Sequence, residues 1–215
     1  MTSDPRPLVA VVDYGIGNLR SAQKALERMG ADARLTTDAS LIARADGVVL
    51  PGVGSFGACM DALRAEGLDG PVLDAVASGR PFLGICVGMQ MLFDASDEDR
   101  SARGLGVIPG LVERIPAGVK RPQMQWNRLD VRTPVDPLLA PVGDGAWMYF
   151  VHSFHGVPDD DAMVAATCDY GGVLNAAFRS ANVFATQFHP EKSGRAGLTL
   201  LGAFVTTCRH AEVAP

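Results

Sequence analysis

The sequence predicts an α/β fold with a mixed, mainly parallel central sheet flanked by helices. In the first half, an apolar run leads three times through a turn into apolar residues at helical spacing. The second half carries short strand-like segments separated by Gly, Pro and Asp. Repeated strand–turn–helix units are typical of a parallel sheet, and the later segments add strands to it. No repeat or linker divides the chain, so we expect one domain over residues 1–215.

The first unit begins with the valine-rich run "LVAVVD" (8–13), which suits a strand buried on both faces. The turn "GIGN" follows, and Gly30 ends the helical pattern after it. That pattern consists of Leu19, Ala22, Leu26 and Met29. "GIGNLR" does not match a dinucleotide-binding fingerprint, because Arg20 stands where the third glycine belongs.

The second unit runs from the strand "GVVL" (47–50) into a helix through Phe56, Met60 and Leu63. The third runs from "PFLGI" (81–85) into a helix through Met89, Leu92 and Phe93. Four strand-like segments follow: "AWMYFV", "AMVAATC", "GVLNAAF" and "NVFATQF". A last helical pattern passes through Leu198, Leu201, Phe204 and Val205.

Composition excludes several classes of function. The 215 residues are 47% hydrophobic and 20% charged, as is usual for a globular enzyme. The net charge of −5 and the absence of a basic cluster argue against a nucleic-acid partner. No apolar stretch is long enough to span a membrane. Residues 1–7 lack the layout of a secretion signal and are expected to be flexible, so we expect a cytoplasmic protein.

Cysteine and histidine spacing predicts neither a disulfide framework nor a metal site. The four cysteines are far apart and include no C-x-x-C pair. His152 and His155 could suggest metal ligands, but no third ligand lies near them in the sequence. We therefore expect no metal and no other cofactor.

The segment "GICVG" (84–88) has the G-x-nucleophile-x-G form of a strand-to-helix elbow, with Cys86 at its tip. The glycines leave room for a sharp, strained turn, which would present the sulfur at the start of the next helix. A free thiol has a pKa of about 8.5, so catalysis at neutral pH calls for a neighbouring base beyond the helix dipole. The alternative is a core cysteine beside packing glycines.

The segment "QFHPEKSG" (187–194) supplies a base and a carboxylate. Pro190 favours extended backbone at His189. In extended chain, residues i and i+2 face the same way, which brings His189 and Glu191 side by side. A carboxylate so placed orients the imidazole and stabilises its charged form. The sequence therefore predicts a catalytic triad of Cys86, His189 and Glu191.

The glycine-rich turn "PGVGSFG" (51–57) ends a strand and should lie at the same sheet edge as Cys86. Gly52 and Val53 are candidates for an oxyanion donor, because flanking glycines leave those peptide units free to turn. The amide of Val87, after the nucleophile, is the natural second donor. The alternative is a βα loop with only a structural role.

Together these motifs resemble the class I, triad-type glutamine amidotransferases, whose hallmarks are G-x-C-x-G-x-Q and a distant H-P-E. The chain is most similar to the glutaminase subunits of imidazole glycerol phosphate synthases, which act in histidine biosynthesis. The segments that carry this narrower resemblance are "DYGIGNLRS" (13–21), "LPGVGSF" (50–56), "GICVGMQMLF" (84–93), "YFVHSF" (149–154) and "FHPEKSG" (188–194).

The resemblance implies a flavodoxin-like fold and hydrolysis of L-glutamine to glutamate and ammonia through a Cys86 thioester. It implies that Gln90 and the backbone around Gly52 and Ser153 hold glutamine. It also implies a heterodimer in which ammonia passes to a (β/α)₈-barrel cyclase subunit. The residues that it places at or near that interface are Asn18, Trp126, Tyr149 and Lys192. On physical grounds alone, Trp126 and Tyr149 fit a partly buried core equally well.

One segment departs from the family pattern P-H-M-G-W-N. Here it reads "PQMQWN" (122–127), so Gln123 and Gln125 replace a histidine and a glycine. The interface contacts around Trp126 therefore do not carry over from the family to this sequence in detail. Other interpretations are a glutaminase of another synthase, such as the pyridoxal phosphate or anthranilate enzymes, a catalytically silent docking module of this fold, and a cysteine protease.

Overall fold

The computed structural model of the chain describes residues 6–210. Residues 1–5 of the expected flexible segment lie outside the described residues. Pro7 is buried, and its carbonyl accepts a hydrogen bond of 2.9 Å from the Asp32 N–H. Among residues 6–210, no helix combines the length and apolar character needed to cross a membrane.

An eight-stranded sheet forms the centre of the fold. In chain order its strands are β1 (Leu8–Val12), β2 (Asp32–Thr36), β3 (Gly47–Gly52), β4 (Phe82–Cys86), β9 (Asp130–Val131), β12 (Val164–Asp169), β13 (Val173–Ser180) and β14 (Val183–Thr186). Across the sheet the order is β2-β1-β3-β4-β14-β13-β12-β9. The pairs from β2 to β14 are parallel, and the pairs from β14 to β9 are antiparallel. The predicted mixed, mainly parallel sheet is confirmed.

The helices are α1 (Leu19–Arg28), α2 (Ala39–Arg44), α3 (Phe56–Ala65), α4 (Asp69–Ala77), α5 (Val87–Gln90) and α6 (Gly194–His210). Helix α1 contacts α6, and α2 contacts α4. The apolar runs of β1, β3 and β4 are almost wholly buried, as expected for strands covered on both faces.

Two smaller sheets stand beside the central one. Their strands are β5 (Phe93–Ser96), β6 (Asp99–Arg103), β7 (Ile108–Arg114), β8 (Gln123–Arg128), β10 (Trp147–His152) and β11 (Phe154–Pro158). The first sheet has the order β11-β7-β5-β6, and the second pairs β10 with β8.

The helix predicted through Leu92 and Phe93 is wrong in its extent. Helix α5 ends at Gln90, and Phe93 begins strand β5, where it pairs with Ile108 of β7. The apolar spacing is that of a helix, but pairing with a distant strand decides the backbone conformation here. Tertiary contacts therefore override the local pattern directly after the nucleophile candidate.

Candidate active site

Cys86 occupies a strained turn between β4 and α5. Its φ is 54°, a left-handed value that a side chain rarely adopts. A Cβ at Gly88 would lie 2.0 Å from the carbonyl oxygen of Leu50, and a Cβ at Gly84 would lie 3.0 Å from the Cα of Met89. The two glycines are therefore required by close backbone approach, as the sequence predicts.

The Cys86 side chain is 4% exposed and lines a cavity of about 550 Å³. Sites for small molecules usually have volumes of about 300–1,000 Å³. Helix α5 is a single turn of four residues, so a long helix dipole does not act on the sulfur. What the turn offers is the backbone N–H groups of its first residues, beginning with that of Val87.

His189 and Glu191 form a buried pair in the same region. The Nδ1 of His189 lies 2.8 Å from Oε1 of Glu191, and both side chains are 3% exposed. His189 is extended, with φ −100° and ψ 96°. Residues 190–192 form a 3-10 turn rather than extended chain. The predicted contact is therefore present, but a turn and not an extended strand produces it.

The surroundings of His189 favour its charged form. Burial alone would lower the pKa of the imidazole, but the neighbouring Cys86 sulfur and Glu191 carboxylate outweigh burial and raise that pKa to about 10. Its Nδ1–H donates to Glu191, while Nε2 is buried and makes no hydrogen bond within residues 6–210. Nε2 is therefore the ring nitrogen left to exchange protons with Cys86 and a bound molecule.

A ring of hydrogen bonds attaches His189 to strand β10. The His189 N–H donates to the Tyr149 carbonyl at 3.0 Å. The Tyr149 N–H donates to the Ser193 Oγ at 2.9 Å, and the Ser193 hydroxyl donates to the His189 carbonyl at 2.6 Å. Because all three bonds are made, the backbone of His189 is fixed relative to Tyr149.

The candidate oxyanion donors lie next to Cys86. Gly52, the last residue of β3, is opposite Cys86 in the β3–β4 register. A Cβ at Gly52 would lie 2.6 Å from the Gly88 nitrogen, so glycine is needed there. Val53 and Val87 line the cavity together with Cys86, whereas Gly52 is not one of its lining residues.

Gln90 and Ser153, the candidate substrate contacts, both line the cavity. Gln90 is 4% exposed, and its Nε2 donates to the Phe154 carbonyl at 3.2 Å and to Gln187 Oε1 at 3.1 Å. These bonds fix the side-chain amide of Gln90 in the cavity wall.

Sequence reasoning missed two residues of this region. The Nε2 of Gln187 lies 3.8 Å from the Cys86 sulfur, although the sequence marks Gln187 only as the residue before "FHPE". Glu98 lines the cavity, and its Oε2 accepts a 2.7 Å hydrogen bond from the Phe56 N–H at the start of α3. Glu98 sits in the acidic segment "DEDR", which has no recognisable motif.

The candidate interface residues fall into two groups. Asn18 and Lys192 line the cavity. Trp126 and Tyr149 lie opposite each other on the outer face of the β8–β10 sheet, with ring centroids 6.0 Å apart. The Trp126 side chain is 47% exposed, which favours a contact surface over a core position.

Gln123 and Gln125, which depart from the family pattern, point away from that outer face because side chains alternate along a strand. Gln123 is fully buried, and its Oε1 lies 2.8 Å from Nε2 of His152. His152 and His155 are both buried, and no group of three potential metal ligands occurs among residues 6–210. The substitution at 123 therefore belongs to the protein interior.

Comparison with known proteins agrees with this geometry. The family model for glutamine amidotransferase class-I matches residues 10–207. The imidazole glycerol phosphate synthase subunit HisH of Syntrophotalea carbinolica is 48% identical over 204 residues, which cover 92% of this chain and 98% of the relative. HisH of Methanothermobacter thermautotrophicus is also 48% identical, over 94% of this chain and 100% of the relative.

Solved structures share the fold at low sequence identity. The structure of PurLQS from Thermotoga maritima gives a TM-score of 0.75 at 24% identity and covers 94% of this chain and 99% of that one. The glutaminase domain of CTPS from Trypanosoma brucei gives 0.66 at 14% identity, with coverage of 97% and 96%. This chain belongs to the class I glutamine amidotransferases and, within them, to the family of the HisH subunits of imidazole glycerol phosphate synthase.

Proposed function

We propose that this chain hydrolyses L-glutamine at Cys86, with His189 and Glu191 completing the triad, and delivers the ammonia to a cyclase subunit. One observation carries the proposal. Cys86, held at a strained elbow, and His189, which is paired with the buried carboxylate of Glu191, line the same cavity. This juxtaposition of nucleophile, base and orienting carboxylate is the geometry that nucleophilic catalysis needs.

In the first half-reaction, the Cys86 thiolate attacks the side-chain amide carbon of glutamine and forms a tetrahedral intermediate. The N–H groups of Val53 and Val87 are the candidate donors to its negatively charged oxygen. The imidazolium of His189 gives its Nε2 proton to the amide nitrogen as the carbon–nitrogen bond breaks. Ammonia leaves, and a γ-glutamyl thioester stays on Cys86.

In the second half-reaction, His189 takes a proton from water, which attacks the thioester carbon. The carbon–sulfur bond breaks, glutamate is released, and the thiolate and imidazolium form again. Glu191 keeps Nδ1 protonated throughout, so Nε2 is the only nitrogen that exchanges protons. Each proton transfer therefore uses the ring nitrogen that makes no other hydrogen bond.

The cavity also suits the charged end of glutamine. Its wall holds a carboxylate, Glu98, and an ammonium, Lys192, together with the polar groups of Gln90 and Ser153. A free α-amino acid carries one positive and one negative charge at neutral pH. We place the α-ammonium of glutamine against Glu98, because Glu98 is the residue of the cavity lining that carries a carboxylate.

A docking face for the cyclase lies next to the cavity. We define this face by Met124, Trp126, Trp147 and Tyr149 on the outer side of the β8–β10 sheet. Met124 is 61% exposed and Trp147 is 54% exposed. Val151 of the same strand face lines the cavity. A barrel-shaped cyclase bound here would cover the cavity mouth and receive ammonia without passage through bulk water.

The remaining interpretations have less support. A silent docking module would have no need for the strained backbone at Cys86, which costs roughly 1–3 kcal/mol. A cysteine protease needs an extended groove, whereas the cavity here has the size of a single small molecule. A glutaminase of another synthase would use the same chemistry. The nucleotide that stimulates glutamate release distinguishes such an enzyme from one of the histidine pathway.

The test is glutamate release by the purified chain, alone and with the cyclase of the histidine pathway and its phosphoribulosyl imidazolecarboxamide nucleotide. We expect weak activity alone and a large increase in the complete mixture, because the loop 51–54 can present its donor when ligand is bound. Full activity without partner and nucleotide would contradict the regulated transfer. Stimulation only by a different synthase would reassign the pathway.

A further inference from the structure

The loop Pro51–Gly54 is anchored by side chains that the proposed chemistry does not use. This loop contains the candidate oxyanion donor Val53. Three peptide units succeed one another in it, and the middle one joins Gly52 to Val53. Within the described residues the Val53 N–H makes no hydrogen bond, so the middle unit is the one left to turn its donor toward a substrate.

Tyr14 anchors the peptide unit that joins Pro51 to Gly52. The Tyr14 hydroxyl donates to the Pro51 carbonyl at 2.7 Å, and the tyrosine side chain is 2% exposed. The bond spans 37 residues of sequence, from the loop after β1 to the end of β3. A Cβ at Gly52 would lie 2.8 Å from the same hydroxyl oxygen. Tyr14 therefore packs directly against this unit as well as bonding to it.

Cys59 anchors the peptide unit that joins Val53 to Gly54. The Cys59 thiol, from the first half of α3, donates to the Val53 carbonyl at 3.2 Å. The cysteine is fully buried. Because the Val53 carbonyl and the Gly54 N–H belong to one planar unit, this bond also sets the direction of the Gly54 N–H.

We infer that Tyr14 and Cys59 are positioning residues for the glutaminase reaction, which fix the peptide units on both sides of Gly52–Val53. With its neighbours held, the loop can turn only at the middle unit, where Gly52 allows backbone angles that other residues resist. The Val53 N–H is thereby confined to a small set of directions at the Cys86 sulfur. This inference rests on the proposed function of Cys86.

Both anchors keep their protons under working conditions. Burial raises the pKa of the Tyr14 hydroxyl far above its ordinary value, with the Cys59 and Cys86 sulfurs adding to the effect. Burial also raises the pKa of the Cys59 thiol, although its hydrogen bonds oppose that shift. Each group therefore acts as a neutral donor to a carbonyl oxygen.

The test uses Tyr14→Phe and Cys59→Ala in the complete chain, assembled with the cyclase and its nucleotide. A net hydrogen bond of typical strength corresponds to a change of roughly 3–10-fold, so we expect kcat for glutamine to fall by about that factor. The KM for glutamine should change less than about twofold, because the anchors act on the oxyanion donor and not on the bound ground state. Cys59→Ser retains a donor and should keep more of kcat than Cys59→Ala.

A second readout separates this role from general damage. Alkylation of Cys86 by iodoacetamide, followed by mass spectrometry, needs the nucleophile but no oxyanion donor. We expect its rate to be unchanged in Tyr14→Phe and Cys59→Ala. The matched controls are Tyr170→Phe, which removes a 2.8 Å hydrogen bond to the Lys120 carbonyl, and Cys208→Ala, which removes another buried thiol. Both should retain wild-type kcat.

An unchanged kcat in Tyr14→Phe and Cys59→Ala would overturn the inference. A fall in kcat accompanied by an equal fall in the alkylation rate would also overturn it, because both rates would then reflect general damage to the site. These failures differ from failure of the proposed function. The inference is tested in an enzyme whose wild-type form releases glutamate, whereas the proposed function fails when that wild-type form does not.

Discussion

The Nδ1 of His189 lies 2.8 Å from Oε1 of Glu191, and both side chains are almost completely buried. A buried carboxylate beside an imidazole stabilises the imidazolium and fixes its tautomer. Burial lowers the pKa of His189, but the Cys86 sulfur and the Glu191 carboxylate raise it by more. The base of the proposed triad therefore holds a proton that it can give to the leaving nitrogen.

Glu191→Gln should separate the charge of this carboxylate from its shape. We expect kcat for glutamine to fall by roughly 10²–10⁴-fold, since neutralising a triad carboxylate disturbs the tautomer and its charge. The pKa of His189 should fall below its wild-type value of about 10, which an NMR titration of the imidazole nitrogens would show. Wild-type activity in Glu191→Gln would remove Glu191 from the triad.

His152 makes the stability of the fold sensitive to acid. The pKa of His152 is lowered to about 4, chiefly by burial. A hydrogen bond to the Phe154 carbonyl opposes this shift, and the neighbouring His155 and His189 add to it. Between pH 6.5 and 4 the unfolded chain binds a proton at this position that the folded chain does not. The free energy of unfolding should therefore decrease as the pH falls through this range, by up to about 3 kcal/mol.

Urea titrations at several pH values measure this effect. His152→Gln should show a smaller loss of stability between pH 6.5 and 4 than the wild type. His155 also has a lowered pKa, so some acid sensitivity should persist in the variant. An identical pH dependence in the two proteins would show that His152 does not contribute.

Gly88→Ala should damage the elbow itself. The added methyl group would lie 2.0 Å from the Leu50 carbonyl oxygen, a backbone atom that cannot move aside cheaply. We expect the free energy of unfolding to fall by roughly 1–3 kcal/mol or more, together with a loss of glutaminase activity. Urea denaturation and glutamate release measure the two effects.

Gly70→Ala is the matched control for that substitution. Gly70 lies in α4, and a Cβ there would meet nothing within 4 Å. Alanine is favoured over glycine in a helix by roughly 0.5–1 kcal/mol, so this variant should be as stable as the wild type or more so. Equal destabilisation by both substitutions would contradict the steric account of the elbow.

Much of the fold and the placement of the candidate triad residues could be predicted from the sequence, because both depend on local patterns. The valine-rich run of β1 predicts a buried strand, and the glycines around Cys86 predict a tight turn. Each prediction needs only a few neighbouring residues. The spacing in "HPE" brings His189 and Glu191 together. It does so even though the backbone of Glu191 is a 3-10 turn, since two residues of separation permit contact in either geometry.

Other features depend on distant contacts that no local pattern contains. Strand β5 forms where Phe93 pairs with Ile108, against the helical spacing of its apolar residues. Glu98 reaches the cavity because β5 and β6 fold back toward α3. Tyr14 meets Pro51 across 37 residues, so "DYGIGN" gives no sign of its role at the loop.

Trp126→Ala should weaken binding to the cyclase. Trp126 belongs to the proposed docking face and packs edge-on against Tyr149. Central aromatic residues of an interface often contribute about 2 kcal/mol or more, so we expect Kd to rise by roughly 10–100-fold. Val135→Ala, at a side chain that is 85% exposed away from this face, is the control. Calorimetry measures the affinity. An unchanged Kd in Trp126→Ala would show that the cyclase binds at another surface.

The most direct test of the central claim is Cys86→Ala in the assembled enzyme, supplied either with glutamine or with ammonium salts. We predict that synthesis from glutamine is abolished, because no thioester can form, and that synthesis from ammonium salts continues at the wild-type rate. Continued use of glutamine by Cys86→Ala would contradict the account, since the nucleophile would then lie elsewhere.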